Sequence, residues 1–141
     1  MSRQESALAA VVRYETCASE IRRLTVLIGE ALARCPITIQ AVAEGEVGTL
    51  SLWDGTRAKN HLYWAYHTTT DEGAYCSERR LNEGEQEEYL KDEDCPHCLE
   101  AFRLVGLRRQ ARKEFGYAKL AVRNIGKAEI RSQQKLGAAH G

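Results

Sequence analysis

The chain has 141 residues, 43% hydrophobic and 28% charged, with five cysteines and a formal net charge of zero. That length suits one domain and is enough for a hydrophobic core, and the balance is that of a soluble globular protein. No apolar run approaches the roughly 20 residues of a membrane helix, and Met1-Ser2-Arg3-Gln4-Glu5 carries both charge signs with no apolar segment behind it, so no secretory signal is expected.

A reducing cytoplasm is therefore the expected setting, where cysteines serve as thiols or metal ligands rather than disulfides. The zero net charge hides a polarity. Residues 1–34 carry five Lys/Arg and four Asp/Glu, residues 35–101 carry five and fourteen, and residues 102–141 carry ten and two. A chain that is acidic in the middle and basic at one end points to charged partners.

Residues 1–35 read as one long helix. Ala7, Tyr14, Ile21, Ile28 and Cys35 recur every seven residues, and Ala10, Cys17, Leu24 and Ala31 fill in three residues later. This is the repeat of a coiled-coil-like seam. Ser2 or Ser6 caps its start, and Pro36 stops it because the residue before proline is pushed out of the helical region.

Residues 36–95 read as an insertion. Ile37-Thr38-Ile39 and Gly48-Thr49-Leu50-Ser51-Leu52-Trp53 alternate as β-strands, with turns at Glu44-Gly45-Glu46 and Asp54-Gly55. His61–His67 is aromatic and reads as a third strand, with a short helix as the alternative; its aromatics suit core packing. The acidic stretch that follows contains Asn82-Glu83-Gly84-Glu85, a capping box that predicts a helix over 83–91.

Residues 96–136 read as a second long helix. Pro96 suits the first helical turn and Asp94 caps it. Leu104, Leu107, Ala111, Phe115, Ala118, Val122 and Ile125 form its apolar seam, and Lys119, Arg123, Lys127, Arg131 and Lys135 a basic row every four residues. Gly116 and Gly126 are the places where it would break, since each glycine costs about 1 kcal/mol relative to alanine. Gly137 ends the pattern, leaving 137–141 as a loose tail. The predicted fold is a single domain, mostly α (α+β): two long antiparallel helices with a small zinc-stabilised, β-containing insertion between them.

Cys95-Pro96-His97-Cys98 is the chemical centre of this reading. Two cysteines three positions apart can close on one metal ion, and a structural zinc needs four thiolate or imidazole donors in a tetrahedron. Cys95 and Cys98 supply two, and Cys76 beside Tyr75 is the expected third. Cys35 is the expected fourth, because antiparallel helices would bring it beside the start of the second, with His67 and His61 as competitors. His97 sits between the two cysteines and is not expected to turn back, and Cys17 belongs to the apolar seam. The βαβ pattern of a thioredoxin-type redox site is missing. So are His-Glu-x-x-His, a P-loop and Gly-x-Ser-x-Gly, and the proline follows Cys95 rather than preceding it as in zinc deaminases. A non-enzymatic role follows.

Two kinds of partner suit the charges. Arg108, Arg112, Lys119, Arg123 and Lys127 would neutralise phosphates of DNA or RNA. Either charged region would instead meet a complementary protein surface. The polarity also permits a homodimer through the long helices.

The motifs Cys95-Pro96-His97-Cys98, Glu100-Ala101, Arg108-Arg109-Gln110-Ala111-Arg112, Gly116-Tyr117-Ala118-Lys119 and Ile125-Gly126-Lys127 carry one further signal. Over Cys95 to Lys127 the chain resembles a group of small bacteriophage-encoded proteins with a zinc knuckle followed by a basic helix. The resemblance implies a phage accessory protein in a bacterial host cytoplasm, and it favours a host protein, regulatory or defensive, as the partner over nucleic acid.

Overall fold

The computed structural model describes residues 2–37, 60–72 and 77–140. In chain order these form α1 (Arg3–Ala33), α2 (His61–His67), β1 (Thr69–Asp71), β2 (Glu78–Arg80), α3 (Glu83–Asp92) and α4 (Pro96–His140). The fold class is as the sequence predicts: mostly helical, with two long helices and a small antiparallel sheet between them in sequence. Among the described residues no helix is long and apolar enough to cross a membrane.

Local chemistry sets the helix ends. Ser2 caps α1: its hydroxyl accepts from the Glu5 N–H at 3.1 Å, and its own N–H donates to the Glu5 carboxylate at 2.7 Å. At the other end the Arg34 N–H reaches the Ala31 carbonyl and the Cys35 N–H the Leu32 carbonyl, both at 3.1 Å. These three-residue spacings tighten the last turn ahead of Pro36.

The described residues divide into two compact units, and α1 and α4 contribute to both. The first, Met1–Arg23 with Leu107–Gly141, is a helix pair. Arg3 pairs with Glu129 at 3.0 Å and Arg13 with Glu114 at 3.4 Å, so the chains run antiparallel. The Tyr14 and Phe115 rings meet at 4.9 Å, and Ala118 is fully buried. Leu107, expected in this seam, is 57% exposed. In this unit half-buried Arg108 and Ala111 take the inner side instead, which leaves Leu107 on the outer side.

Nor does α4 break. It runs through Gly116 and Gly126, and past Gly137 to His140. A Cβ added at any of these three glycines would meet nothing within 4 Å, so no packing constraint kinks the helix there, and the neighbouring turns carry it through.

The second unit, Leu24–Gly106, holds most of the buried side chains. Leu24, Ile28, Ala31 and Leu32 come from α1, Leu62 and Ala65 from α2, Leu90 from α3, and Ala101 and Leu104 from α4. Burying Leu24, Leu62 and Leu90 contributes about 1.5–3 kcal/mol each.

The segment read as a third strand is the helix α2. Asn60 caps it by accepting from the Tyr63 N–H at 2.7 Å, and Tyr63 stacks on His67 four residues on at 3.9 Å between ring centroids. The sheet lies later, where only an acidic run was expected: β1 and β2 pair as Thr69↔Arg80, Thr70↔Arg79 and Asp71↔Glu78. Of the strands expected at 37–39 and 48–53, Ile37 is helical, and the rest lie outside the described residues. The capping box of α3 is complete, with the Asn82 side chain on the Glu85 N–H at 2.9 Å and the Glu85 carboxylate on the Asn82 N–H at 3.0 Å.

Candidate metal centre

The start of α4 departs from expectation in a way that matters for chemistry. Asp94 is not the cap. It takes a left-handed turn with φ 51°, and Cys95 occupies the cap position, its carbonyl accepting the first helical bond from Leu99 at 3.1 Å. The Cys98 N–H points at the Cys95 sulfur. A cysteine thus stands where Ser or Asp would cap, and the helix N-terminus presents N–H donors to sulfur.

Three elements deliver ligand atoms to one point. The tightened end of α1 brings Cys35, the first residue of α2 is His61, and the turn into α4 brings Cys95 and Cys98. The three sulfurs and a His61 ring nitrogen all lie within 4.8 Å of one another. Cys35 Sγ is 3.4 Å from His61 Nδ1. A tetrahedral zinc with Zn–S of about 2.3 Å and Zn–N of about 2.0 Å has ligand–ligand edges of about 3.5–3.8 Å, so the group is near the size of a coordination shell. The cysteines are buried, His61 nearly so. These four residues could bind a metal ion.

The electrostatics fit a cation. Burial pushes the Cys95 thiol up, against a pull downward from the Cys98 N–H and side chain. A hydrogen bond with Cys35 and then burial push Cys98 up, while the Leu62 N–H at the start of α2 pulls it down. Three sulfurs this close repel one another as thiolates, so the cluster holds its protons or exchanges them for a cation. The backbone N–H groups aimed at Cys95 and Cys98 are donors that favour the anionic form.

Of the expected ligands, Cys35, Cys95 and Cys98 are together, and His61, one of the two competing histidines, is the fourth clustered donor among the described residues. Cys76 lies outside the described residues. His67 is elsewhere: its Nδ1 is 2.7 Å from the Tyr63 carbonyl oxygen. His97 is half-buried and is not one of the four clustered donors, and Cys17 is half-buried on α1. On α4, Arg112, Lys119, Arg123 and Lys127 are exposed and Arg108 is half-buried with its Nε shielded from solvent. Lys119 lies over the Phe115 ring at 4.4 Å.

No protein-family model matches the chain, and no curated protein or solved structure matches it either.

Proposed function

We propose that this is a non-enzymatic zinc protein that acts by binding another protein, with zinc as the structural clasp of the Leu24–Gly106 unit. The observation that carries the zinc reading is the cluster of four donors, buried Cys35, Cys95 and Cys98 with partly buried His61. Three thiolates and one imidazole are a donor set of structural zinc sites, and soft sulfur ligands disfavour magnesium and calcium. Four protein ligands fill a tetrahedron and leave no position for water or substrate, which supports a structural role over a catalytic one.

A protein partner is supported by what the helix pair exposes. Among the described residues ten large apolar side chains are exposed, and eight of them fall in the Met1–Arg23 and Leu107–Gly141 unit. Leu8, Val11 and Val12 share one side of α1, and Tyr117 and Leu120 one side of α4. Phosphate binding needs only the basic row; exposed aliphatic and aromatic side chains are what a protein interface buries. Trp64, 43% exposed, is a further aromatic anchor of the type that concentrates binding energy. The resemblance to phage-encoded proteins supports a regulatory or defence protein of a bacterial host as the partner, met in the host cytoplasm.

One observation favours a second reading, nucleic-acid binding. Arg112, Arg123 and Lys127 are exposed on α4 and make no ion pair among the described residues, so their charge is free for phosphates. A mobility-shift assay with duplex DNA and with RNA at two salt concentrations, run beside affinity capture from bacterial lysate, tests the choice. The protein reading expects a captured partner, lost on Tyr117→Ser with Leu120→Ser, and no shift near physiological salt. A shift that survives about 150 mM salt and disappears when Lys119, Arg123 and Lys127 are changed to Glu overturns it in favour of nucleic acid.

A further inference from the structure

We infer that His61 ligates the metal through Nδ1 and that Glu93 is the positioning residue that orients its ring by accepting from Nε2–H. This rests on the zinc reading above and adds to it the ligating atom, the tautomer and the carboxylate behind the ligand.

The two ring nitrogens face different partners. Nδ1 is 3.4 Å from Cys35 Sγ, inside the cluster. Nε2 is 3.8 Å from the Glu93 carboxylate. A metal on Nδ1 leaves the ring's proton on Nε2, so the nitrogen facing Glu93 is then a donor facing an acceptor. At 3.8 Å the pair is longer than a hydrogen bond, so orienting the ring requires the exposed Glu93 carboxylate to swing closer to Nε2–H. An imidazole that donates its second N–H to a carboxylate is held in one orientation and becomes a stronger ligand.

Glu93 is itself held. It is the C-cap of α3, and its N–H bonds to the Tyr89 carbonyl at 3.0 Å. It stands two residues before Cys95, and left-handed Asp94 lies between them. One short turn therefore delivers both the Cys95 sulfur and the carboxylate that faces Nε2 of His61. The acidic run that ends in Glu93 and Asp94 acquires a specific task at this residue, beyond keeping a helix face wet.

The test uses the full-length protein loaded with zinc. Long-range proton–nitrogen NMR spectra of the wild type should show His61 with Nδ1 bound to metal and Nε2 carrying the proton. Chelator competition should show that Glu93→Ala weakens zinc binding about 10–100-fold, while the cobalt-substituted variant keeps the tetrahedral spectrum of three sulfurs and one nitrogen. Glu93→Gln, which retains an acceptor oxygen, should fall between, and Glu88→Ala on the exposed side of α3 should match the wild type. Ligation through Nε2, or a Glu93→Ala variant with wild-type affinity, overturns this inference and leaves the zinc reading standing. If Glu93→Ala fails to fold, the wild-type tautomer decides alone. A wild type that takes up no zinc overturns both.

Discussion

Cys35 Sγ lies 3.4 Å from His61 Nδ1, although 26 positions separate the two residues in the chain. A metal ion shared by this pair and by Cys95 and Cys98 would tie three separate segments at one point. Cross-linking distant segments restricts the unfolded chain most, because longer loops cost more to close. Zinc would therefore contribute to folding directly as well as filling a site.

The first prediction follows from that contribution. Zinc binding in small structural modules is worth about 10–16 kcal/mol, as much as the whole stability of an ordinary domain at about 5–15 kcal/mol. Cys98→Ser should therefore lose cooperative thermal unfolding and much of its helical signal in zinc-replete buffer. Cys17→Ala, at a half-buried position on α1 outside the cluster, should cost about 1 kcal/mol. Circular dichroism melts of the two variants beside the wild type check this, and equal losses would refute the division between ligand and packing cysteines.

The second concerns the phase of the seam. Leu24 is 1% exposed and Leu107 57% exposed. Leu24→Ala should cost about 2–5 kcal/mol through lost burial and a residual cavity. Leu107→Ala should change stability by no more than about 0.5 kcal/mol. Denaturant titration separates them, and a large effect at Leu107 would mean that the helices pack on another face.

What could be read from the sequence followed the strength of each local signal. The seven-residue repeat through Ala7, Tyr14, Ile21 and Ile28 marked α1 almost to the residue, and Asn82 with Glu85 marked α3, because periodicity and capping are local. Placing Cys35 beside Cys95 and Cys98 needed only the inference that the long helices run antiparallel. His61 could be narrowed to one of two histidines and no further. Which of them turns toward the cysteines depends on Asn60 starting a helix there, and the aromatic run His61–His67 favours a strand over that helix on sequence alone. The strands β1 and β2 carry little sequence signal, because each has three residues and their charged side chains, Arg79 and Arg80 among them, show no apolar alternation. Leu107 is the residue the apolar pattern puts in the seam, because leucine is a stronger apolar signal than arginine, yet Arg108 is the half-buried one.

The third prediction is a pH dependence at the start of α3. The Arg79 guanidinium, 2.6 Å away, and then the Asn82 N–H hold the Glu85 carboxyl below its ordinary range. Because the folded value is depressed, the stabilisation is present above the unfolded value of about 4.3 and is lost as pH falls through the folded value. Glu85→Gln should flatten this part of the acid-unfolding profile relative to the wild type. Asn82→Ala should cost about 1 kcal/mol at neutral pH by removing the cap. Chemical denaturation of the three proteins across acidic pH measures both effects, and a wild-type slope retained in Glu85→Gln would contradict the assignment.

The fourth uses the glycines of α4. Gly116 and Gly126 lie in helix with open space where a Cβ would stand. Replacing either with alanine should stabilise the helix pair by up to about 1 kcal/mol, since the helical cost of glycine disappears and no clash replaces it. A rise in melting temperature for each variant, close to additive in the double variant, is the expected result; destabilisation would mean that another molecule or segment packs against that side.

The central claim is that Cys35, His61, Cys95 and Cys98 form one zinc site, and metal content measures it most directly. Native mass spectrometry of protein kept reduced throughout purification, with elemental analysis of the same sample, should find about one zinc per chain. The stoichiometry should fall toward zero in Cys35→Ser and in Cys98→Ser and stay unchanged in Cys17→Ala. Reduced wild-type protein that carries no metal and takes up none from added zinc would contradict the account.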